Sequence, residues 1–427
     1  PGTEDLFTLN IINNLAGAYL NHGDPHQAVR LHQRAWEEIR AVLGDDDPET
    51  LSSLNNLAAS IQATGDNQRA LELYRESLEG QRRVLGDDHP DTLVTLNNLA
   101  HAHIEVGETD IARSLFEECW SKQKIQLGES HPDTLSTLNN LAFAYGELGD
   151  LAQSLKLYED AFSQQRSVLG ETHPDTLNTL NNLASIRIDL GEHDRAIELY
   201  EQCWQGRRVV LGSDFPDTLY TLENLANAYA HKGQTEQAVE RFRLALEGWR
   251  GRDIPMEDEA TTCFDLLIRT YEWARRPGDA VPFLEEEIEY LQGRDPVDRN
   301  QLARRLATLG RFRFLTGKPD LGETALQQAL DLWGDEPGSP WDHAVALSSL
   351  GATRLVLNHP EEAEALLLKA DQHLLEHRDL ASSSTQATQR IIESGRTLVR
   401  LYDLLGDSES ADLWRGESEA RRSNPRN

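Results

Sequence analysis

Along most of the chain, leucine, alanine and tyrosine recur three or four residues apart. That spacing puts apolar side chains on one face of an α-helix. Between residues 135 and 176 the first such face carries Leu138, Leu141, Ala142 and Tyr145. Gly149-Asp150 interrupts it, and glycine there supplies the left-handed backbone that ends a helix. A second face follows with Leu151, Leu155, Tyr158, Ala161, Phe162 and Val168, and closes at Leu169-Gly170. Pro174 opens the next helix, where a missing N–H leaves no intrahelical bond unmade. The pattern predicts helix, short turn, longer helix, loop.

This unit recurs. Asn-Asn-Leu-Ala begins at Asn13, Asn55, Asn97, Asn139 and Asn181, always 42 residues apart, and Glu223-Asn224-Leu225-Ala226 keeps the step with its first residue changed. A second marker, proline then an acid then threonine, ends at Thr50, Thr92, Thr134, Thr176 and Thr218 with the same period. A fixed period of this length is the signature of a stacked repeat architecture. Small residues predict where the two helices of each pair approach. Ala16, Ala58, Ala100, Ala142, Ala184 and Ala226 lie on first helices; Ala28, Ala70, Ala112, Ser154, Ala196 and Ala238 lie twelve residues later on second helices. A larger side chain would overpack the crossing, at about 1–3 kcal/mol. Trp36, Trp120 and Trp204 alternate with Leu78, Phe162 and Leu246, which predicts large and small layers in one core.

The markers fade after Leu246, and Gly251 to Pro255 reads as an irregular turn, but the counting frame survives. Steps of 42 from Ala226 reach Ile268 and Gly310, and from Ala238 they reach Ala280 and Gly322. Gly351 and Ala363 arrive one residue early, and the last unit, with Val399, Tyr402, Gly406 and Ala411, is offset further. The chain therefore reads as an all-α solenoid of about ten antiparallel helix pairs. Residues 1–250 hold six regular repeats, and 251–427 hold about four degenerate ones ending in a C-terminal cap. Residues 379–385 read as a linker or helix start, and the polar tail after Glu417 as frayed.

The motif Leu-Gly-x-x-His-Pro-Asp-Thr-Leu-x-x-Leu-Asn-Asn-Leu-Ala, at 127–142 and 169–184, with Tyr145, Gly149-Asp150, Tyr158 and Ala161, resembles the tetratricopeptide repeat family in its kinesin-light-chain-like form. The resemblance covers residues 1 to about 250 clearly and the remainder weakly. Such units are common in bacterial multidomain proteins behind NTPase, protease-like or kinase modules, and the closing segment around Leu398–Tyr402 and Ala411–Arg415 is similar to the last unit of kinase-linked arrays. The resemblance implies a right-handed superhelix whose first helices line a concave groove for peptides or partner proteins. It also implies that the first Asn of each pair faces that groove: Asn13, Asn55, Asn97, Asn139 and Asn181. One turn on stand Gly17, Ala59, His101, Phe143, Ser185 and Asn227; the next turn supplies Leu20, Gln62, Ile104, Gly146, Ile188 and Ala230. Glu223 departs from the family pattern at the sixth rung.

An Asn amide offers both a donor and an acceptor. A column of them suits an extended peptide backbone, with Ile104, Phe143 and Ile188 as apolar contacts beside His101 and Asn227. The competing reading makes both Asn columns structural, and for the second column, Asn14 to Asn224, that reading is the stronger. Carboxylate-clamp relatives hold a peptide carboxylate with Lys and Arg; here those rungs are Asn, Gly, Ala and Ser, with Glu105, Glu147 and Asp189 alongside. The groove therefore suits neutral or basic peptides.

Charge agrees. The chain has 427 residues, with 41 basic against 72 acidic side chains and a net charge of −31. Such a balance disfavours nucleic acid and anionic membranes. No apolar run is long enough to span a bilayer, and no signal peptide opens the chain. Those features, with few cysteines, point to the cytoplasm. The opening residue is not Met, which suggests a fragment or a processed product, and a larger regulatory parent chain is expected. Cys119 and Cys203 sit two repeats apart, too far for a disulfide at about 10 Å per packed helix layer, and read as buried packing residues. His89, His131 and His173 recur on successive rungs and cannot converge on one ion; they read as loop-setting residues. His373 and His377, four apart, make half a metal site at most, and Glu285-Glu286-Glu287 reads as a solvated face. Phosphate-binding glycine loops and hydrolase and metalloprotease motifs are absent. No cofactor or metal is expected. The expected function is a protein-interaction or sensor solenoid, not an enzyme. Its rivals are a scaffold or self-association module without a groove, with Trp333 or Trp341 exposed for contact, and an unusual enzyme within 251–427.

Overall fold

The computed structural model describes residues 6–21, 23–252, 257–334, 339–380 and 384–423. Among them the chain forms twenty α-helices and one 3-10 turn, with no strand. They fall into two compact units that divide between Leu267 and Ile268.

The first unit contains six helix pairs: α1 (Leu6–Asn21) with α2 (Pro25–Leu43), α3 (Pro48–Ala63) with α4 (Asn67–Val84), α5 (Pro90–Glu105) with α6 (Thr109–Gln126), α7 (Pro132–Glu147) with α8 (Leu151–Val168), α9 (Pro174–Asp189) with α10 (His193–Val210), and α11 (Pro216–His231) with α12 (Thr235–Arg250). The small residues counted in the sequence are the crossings. Ala16, Ala28, Ala58, Ala70, Ala142 and Ala238 have no exposed surface. Where serine replaces alanine, Ser154 satisfies its hydroxyl by donating to the carbonyl of Ala142 at 2.7 Å. Around these points Leu93, Leu96, Leu135 and Leu177 are buried to within 2%. Each contributes about 2 kcal/mol by leaving water.

Local chemistry sets the ends. His89, His131 and His173 each accept the backbone N–H two residues on through Nδ1, at 3.2–3.3 Å, and so cap α5, α7 and α9. Gly149 turns the chain between α7 and α8 with φ +82°, a conformation an L side chain resists. Cys119 and Cys203 are fully buried, and their thiols point at the carbonyls of Leu93 and Leu177. Ser77 makes the same contact to Leu51 one repeat earlier. Burial pushes the Cys119 thiol up to about 12, so it packs and does not react. The tryptophan layers differ from expectation. Trp36, Trp120 and Trp204 are only half-buried, each covered by the basic side chain four residues on: Arg40, Lys124 and Arg208.

The second unit begins within α13 (Glu257–Trp273) and continues through α14 (Pro277–Gln292), α15 (Arg299–Leu315), α16 (Pro319–Trp333), α17 (Pro340–Val356), α18 (Pro360–Glu376), α19 (Ser384–Leu405) and α20 (Ser408–Ser423). Tyr271 packs against Phe283 with ring centroids 5.7 Å apart, joining the end of α13 to α14. Helices α15 and α16 cross at Gly310 and Gly322, where a Cβ on either would lie 2.8 Å from the other's carbonyl oxygen. Three expectations are corrected here. The tail does not fray at Glu417: α20 runs to Ser423, and Arg421 holds Asp371 of α18 through two bonds of 2.7 and 2.9 Å. Trp333 and Trp341 are each only 5% exposed, so neither offers a contact surface. In the acidic triplet, Glu285 and Glu286 are exposed but Glu287 turns inward, because α14 packs that face. Of residues 379–385, a 3-10 turn takes Arg378–Leu380 and α19 begins at Ser384, while 381–383 lie outside the described residues.

Candidate functional site

In the first unit the first helices form one continuous face: α1 touches α3, α3 touches α5, α7 touches α9, and α9 touches α11. The two Asn columns meet on it. Asn98 donates through Nδ2 to Oδ1 of Asn55 at 3.2 Å, and Asn140 donates to Asn97 at 3.2 Å. Asn182 donates to Asn139 and Asn224 to Asn181, both at 3.4 Å. Each bond joins residues 43 apart, so the second Asn of one pair reaches the first Asn of the pair before it. The result is a ladder that ties repeat to repeat. Thr137 also reaches Asn97 Oδ1, at 3.5 Å.

This geometry divides the labour within the amides of Asn97, Asn139 and Asn181. The carbonyl oxygen faces the next repeat, which leaves Nδ2 hydrogens as the groups that can serve a ligand, although Asn139 Nδ2 also donates to Asn140 Oδ1 at 3.5 Å. Asn97, Asn139 and Asn181 are half-buried, Asn55 is 7% exposed, and Asn13 is half-buried with its Oδ1 shielded and unbonded. One turn on, His101 lies edge-on to Phe116 at 5.2 Å. Burial lowers its imidazole pKa, against a bond to Asn140 and the nearby charge of Glu105 that both raise it. Its ring is therefore partly a packing group. Phe143 is 38% exposed, the most open apolar side chain among the predicted contacts. Ile104, Ile188 and Asn227 are half-buried on their helices, while Glu105 and Asp189 are exposed.

The ladder ends at Glu223. No Asn follows it 43 residues on, since that position is Leu266. Its carboxylate instead accepts from the indole Nε1 of Trp249 at 2.5 Å, close to the Cys263 thiol, which donates to the carbonyl of Phe242 at 3.4 Å. Glu223 is 8% exposed and Trp249 fully buried. Burial pushes the Glu223 carboxyl pKa up, with the indole bond opposing. Sequence reading marked Glu223 as a departure but missed Trp249 as its partner and Cys263 as its neighbour. The usable signal was the frame itself: Cys263 stands 42 residues after Thr221, where the repeat keeps a small buried donor.

The other chemistry-bearing groups stay apart. His373 and His377 have ring centroids 6.1 Å apart, and among the described residues no three His, Cys, Asp or Glu side chains gather as a metal site. Burial and the charge of Glu223 raise the Cys263 thiol pKa. No described helix is long and apolar enough to cross a membrane.

Comparison with known proteins follows the repeat. No curated protein matches the sequence at a significant level. Among solved structures, the chain is similar to the nearly identical TPR-like repeats of a Podosopora anserina protein described as a kinesin light chain. The identity is 29% over 48% of this chain and 97% of that one, with a TM-score of 0.42. It is also similar to BtubC (BKLC) from P. vanneervenii, at 23% identity over 52% and 90% of the two chains, with a TM-score of 0.46. The sequence pattern of the tetratricopeptide repeat matches residues 7–79, 49–119, 133–208 and 184–251. With more than half its length so matched, and with helix pairs closing on small residues as described, the chain belongs to the tetratricopeptide repeat family.

Proposed function

We propose that the first unit of this protein-interaction module holds an extended peptide segment of a partner along its first-helix face. The observation that carries the reading is the ladder's remainder. Asn97, Asn139 and Asn181 spend their carbonyl oxygens on the next repeat and keep amide hydrogens at regular intervals, Asn139 with one of its two already turned to Asn140, a pattern suited to backbone carbonyls of a strand-like ligand. Phe143, with Ile104 and Ile188, supplies apolar contact, and His101 and Asn227 flank it. Exposed carboxylates at Glu105 and Asp189 favour neutral or basic segments over acidic ones. In a larger parent chain such capture is a recruitment or sensing step.

The ladder also favours a second reading, a scaffold in which the Asn columns only fasten repeats. Asparagine-to-aspartate changes at 97, 139 and 181 separate the two, since Asp keeps the acceptor and loses the donors. Peptides selected on the wild-type protein from a random library are the probe. Peptide capture predicts that the triple Asp variant loses about tenfold or more in affinity, from donor bonds worth about 0.5–1.5 kcal/mol each, while its melting curve stays close to wild type. Unchanged peptide affinity in that variant, with Asn-to-Ala changes lowering the melting temperature, rejects capture and leaves the scaffold.

A further inference from the structure

The groove register does not stop at the sixth pair, and its chemistry changes. The column that holds His101, Phe143, Ser185 and Asn227 continues in steps of 42 to Arg269 and Arg311. In the last pair, counting from Val399 as the counterpart of Ala142, the first-Asn position is Arg396 and the next groove position is Arg400. These four arginines, with Arg390, line one cavity of about 1190 Å³ contained in the second unit, walled by α13, α15, α17 and α19. A cavity of that size exceeds the usual small-molecule pocket of roughly 300–1,000 Å³ and suits a chain segment.

The charge inside it is not balanced from within. Arg311 reaches Glu272, and Arg390 lies 4.0 Å from the same carboxylate while bonding Glu393 at 3.0 Å. Burial lowers the Arg311 pKa and the neighbouring Arg390 charge adds to the fall, as two guanidiniums sharing an acid should show. Arg269, Arg396 and Arg400 are exposed, and none pairs with a carboxylate among the described residues. This cluster stands out in a chain of net charge −31. Leu315 and Val345 give the same cavity an apolar wall.

We infer that this groove is a second, separate binding site, for an acidic peptide segment whose carboxylates engage Arg269, Arg396 and Arg400. Guanidinium forks match carboxylates in pairs, and the apolar wall takes the side chains between them. A polynucleotide is the poorer occupant, because beyond the groove its phosphates would run over a surface dominated by acids. The site does not depend on capture by the first unit, since it uses other helices and the opposite charge.

Fluorescence anisotropy on the full chain tests it. The probe is a labelled peptide of alternating glutamate and leucine, compared with its glutamine counterpart and with a labelled oligothymidylate of similar length. The glutamate peptide is expected to bind at least about tenfold tighter than the glutamine one and to weaken as salt is raised. Arg269→Gln, Arg396→Gln and Arg400→Gln together are expected to weaken it about tenfold, each exposed pair being worth about 2- to 5-fold. Melting should not change, because these side chains hold no internal pair. Asn97→Asp, Asn139→Asp and Asn181→Asp should leave this affinity intact. Equal binding of the two peptides, indifference to the arginine changes, or tighter binding of the oligonucleotide overturns the inference.

Discussion

The two units use one hairpin and fasten it differently. In the first unit every crossing is alanine or serine against alanine, and neighbouring pairs are tied by repeated amide bonds such as Asn140 to Asn97. The second unit keeps the crossing and loses the ladder. Its α15–α16 pair closes on two glycines, and its last pair is fastened by the buried Asp371–Arg421 ion pair. The charge differs as well: residues 1–267 carry 21 basic and 45 acidic side chains, and residues 268–427 carry 20 and 27. The difference teaches that close backbone approach defines this hairpin, while the polar fastening and the surface charge are free to diverge. A stack of hairpins tolerates this because each needs only its neighbours.

If that is right, the largest single loss should come from the second unit's one-of-a-kind fastener. The Arg421 and Asp371 side chains are 10% and 5% exposed. Arg421→Ala leaves the Asp371 carboxylate buried without a partner, at an expected cost of about 3–5 kcal/mol. Hydrogen exchange of α20 and α18 amides in mild denaturant reads this locally, which matters because two units need not unfold in one step. A loss below about 1 kcal/mol would mean that the apolar contacts of Leu367, Leu398 and Ala411 hold the last pair, and that the units are fastened more alike than the bond pattern implies.

Next in size is the crossing itself. Gly310→Ala places a Cβ 2.8 Å from the Gly322 carbonyl oxygen and 2.6 Å from Leu326. Helix propensity alone favours alanine by about 1 kcal/mol, so a net loss of about 1–3 kcal/mol measures the clash. In the first unit Ala142→Gly should cost only about 1 kcal/mol, since no closer approach is gained. Urea titrations of both variants compare the two crossings directly. A stabilising Gly310→Ala would show that the second unit's glycines are drift and not geometry.

Those two crossings also show how far the sequence could be read. The 42-residue frame located Gly310 and Gly322 with no structure, because a required small residue leaves a mark at fixed spacing. It could not show that Asn140 bonds Asn97, because periodicity tells which residues recur and not which rungs touch; that depends on the rotation from one pair to the next. Arg421 and Asp371 lie 50 residues apart with no counterpart in other repeats, so no period exposes them. Arg269 and Arg311 are legible, standing 42 apart in the groove column, but beyond the regular repeats no Asn-Asn marker flags that column as a groove. Arg396 and Arg400 were hidden by the offset of the last unit.

Glu223, where the ladder stops, gives a smaller test with a pH signature. Its carboxyl pKa is raised by burial. Above the ordinary glutamate value of 4.5 the unfolded chain gives up this proton while the folded chain keeps it, so the group's contribution falls as pH rises, until the folded carboxyl ionises too. Glu223→Gln keeps an acceptor for Trp249 and removes the ionisation. It should be the more stable protein at pH 7, by about 1 kcal/mol, and the advantage should vanish near pH 4. Guanidinium melts at both values decide it. An advantage that persists at acid pH would assign the gain to packing and not to charge.

The smallest effect probes the regularity of the first unit. The residue before each first-helix proline is Asp47, His89, His131, His173 and then Phe215. The first four accept a backbone N–H; Phe215, 43% exposed, makes no such bond. Phe215→Asp supplies the missing acceptor at the N-terminus of α11, with a charge the helix dipole favours, and should stabilise by about 0.5 kcal/mol. His131→Asp, replacing one working cap by another, should change much less. Thermal melts of the two variants against wild type separate a missing cap from a position that no longer needs one. A Phe215→Asp variant that melts lower would mean the phenyl ring packs across the loop, and that the first unit's departure from its own repeat begins at residue 215, eight residues before the ladder ends.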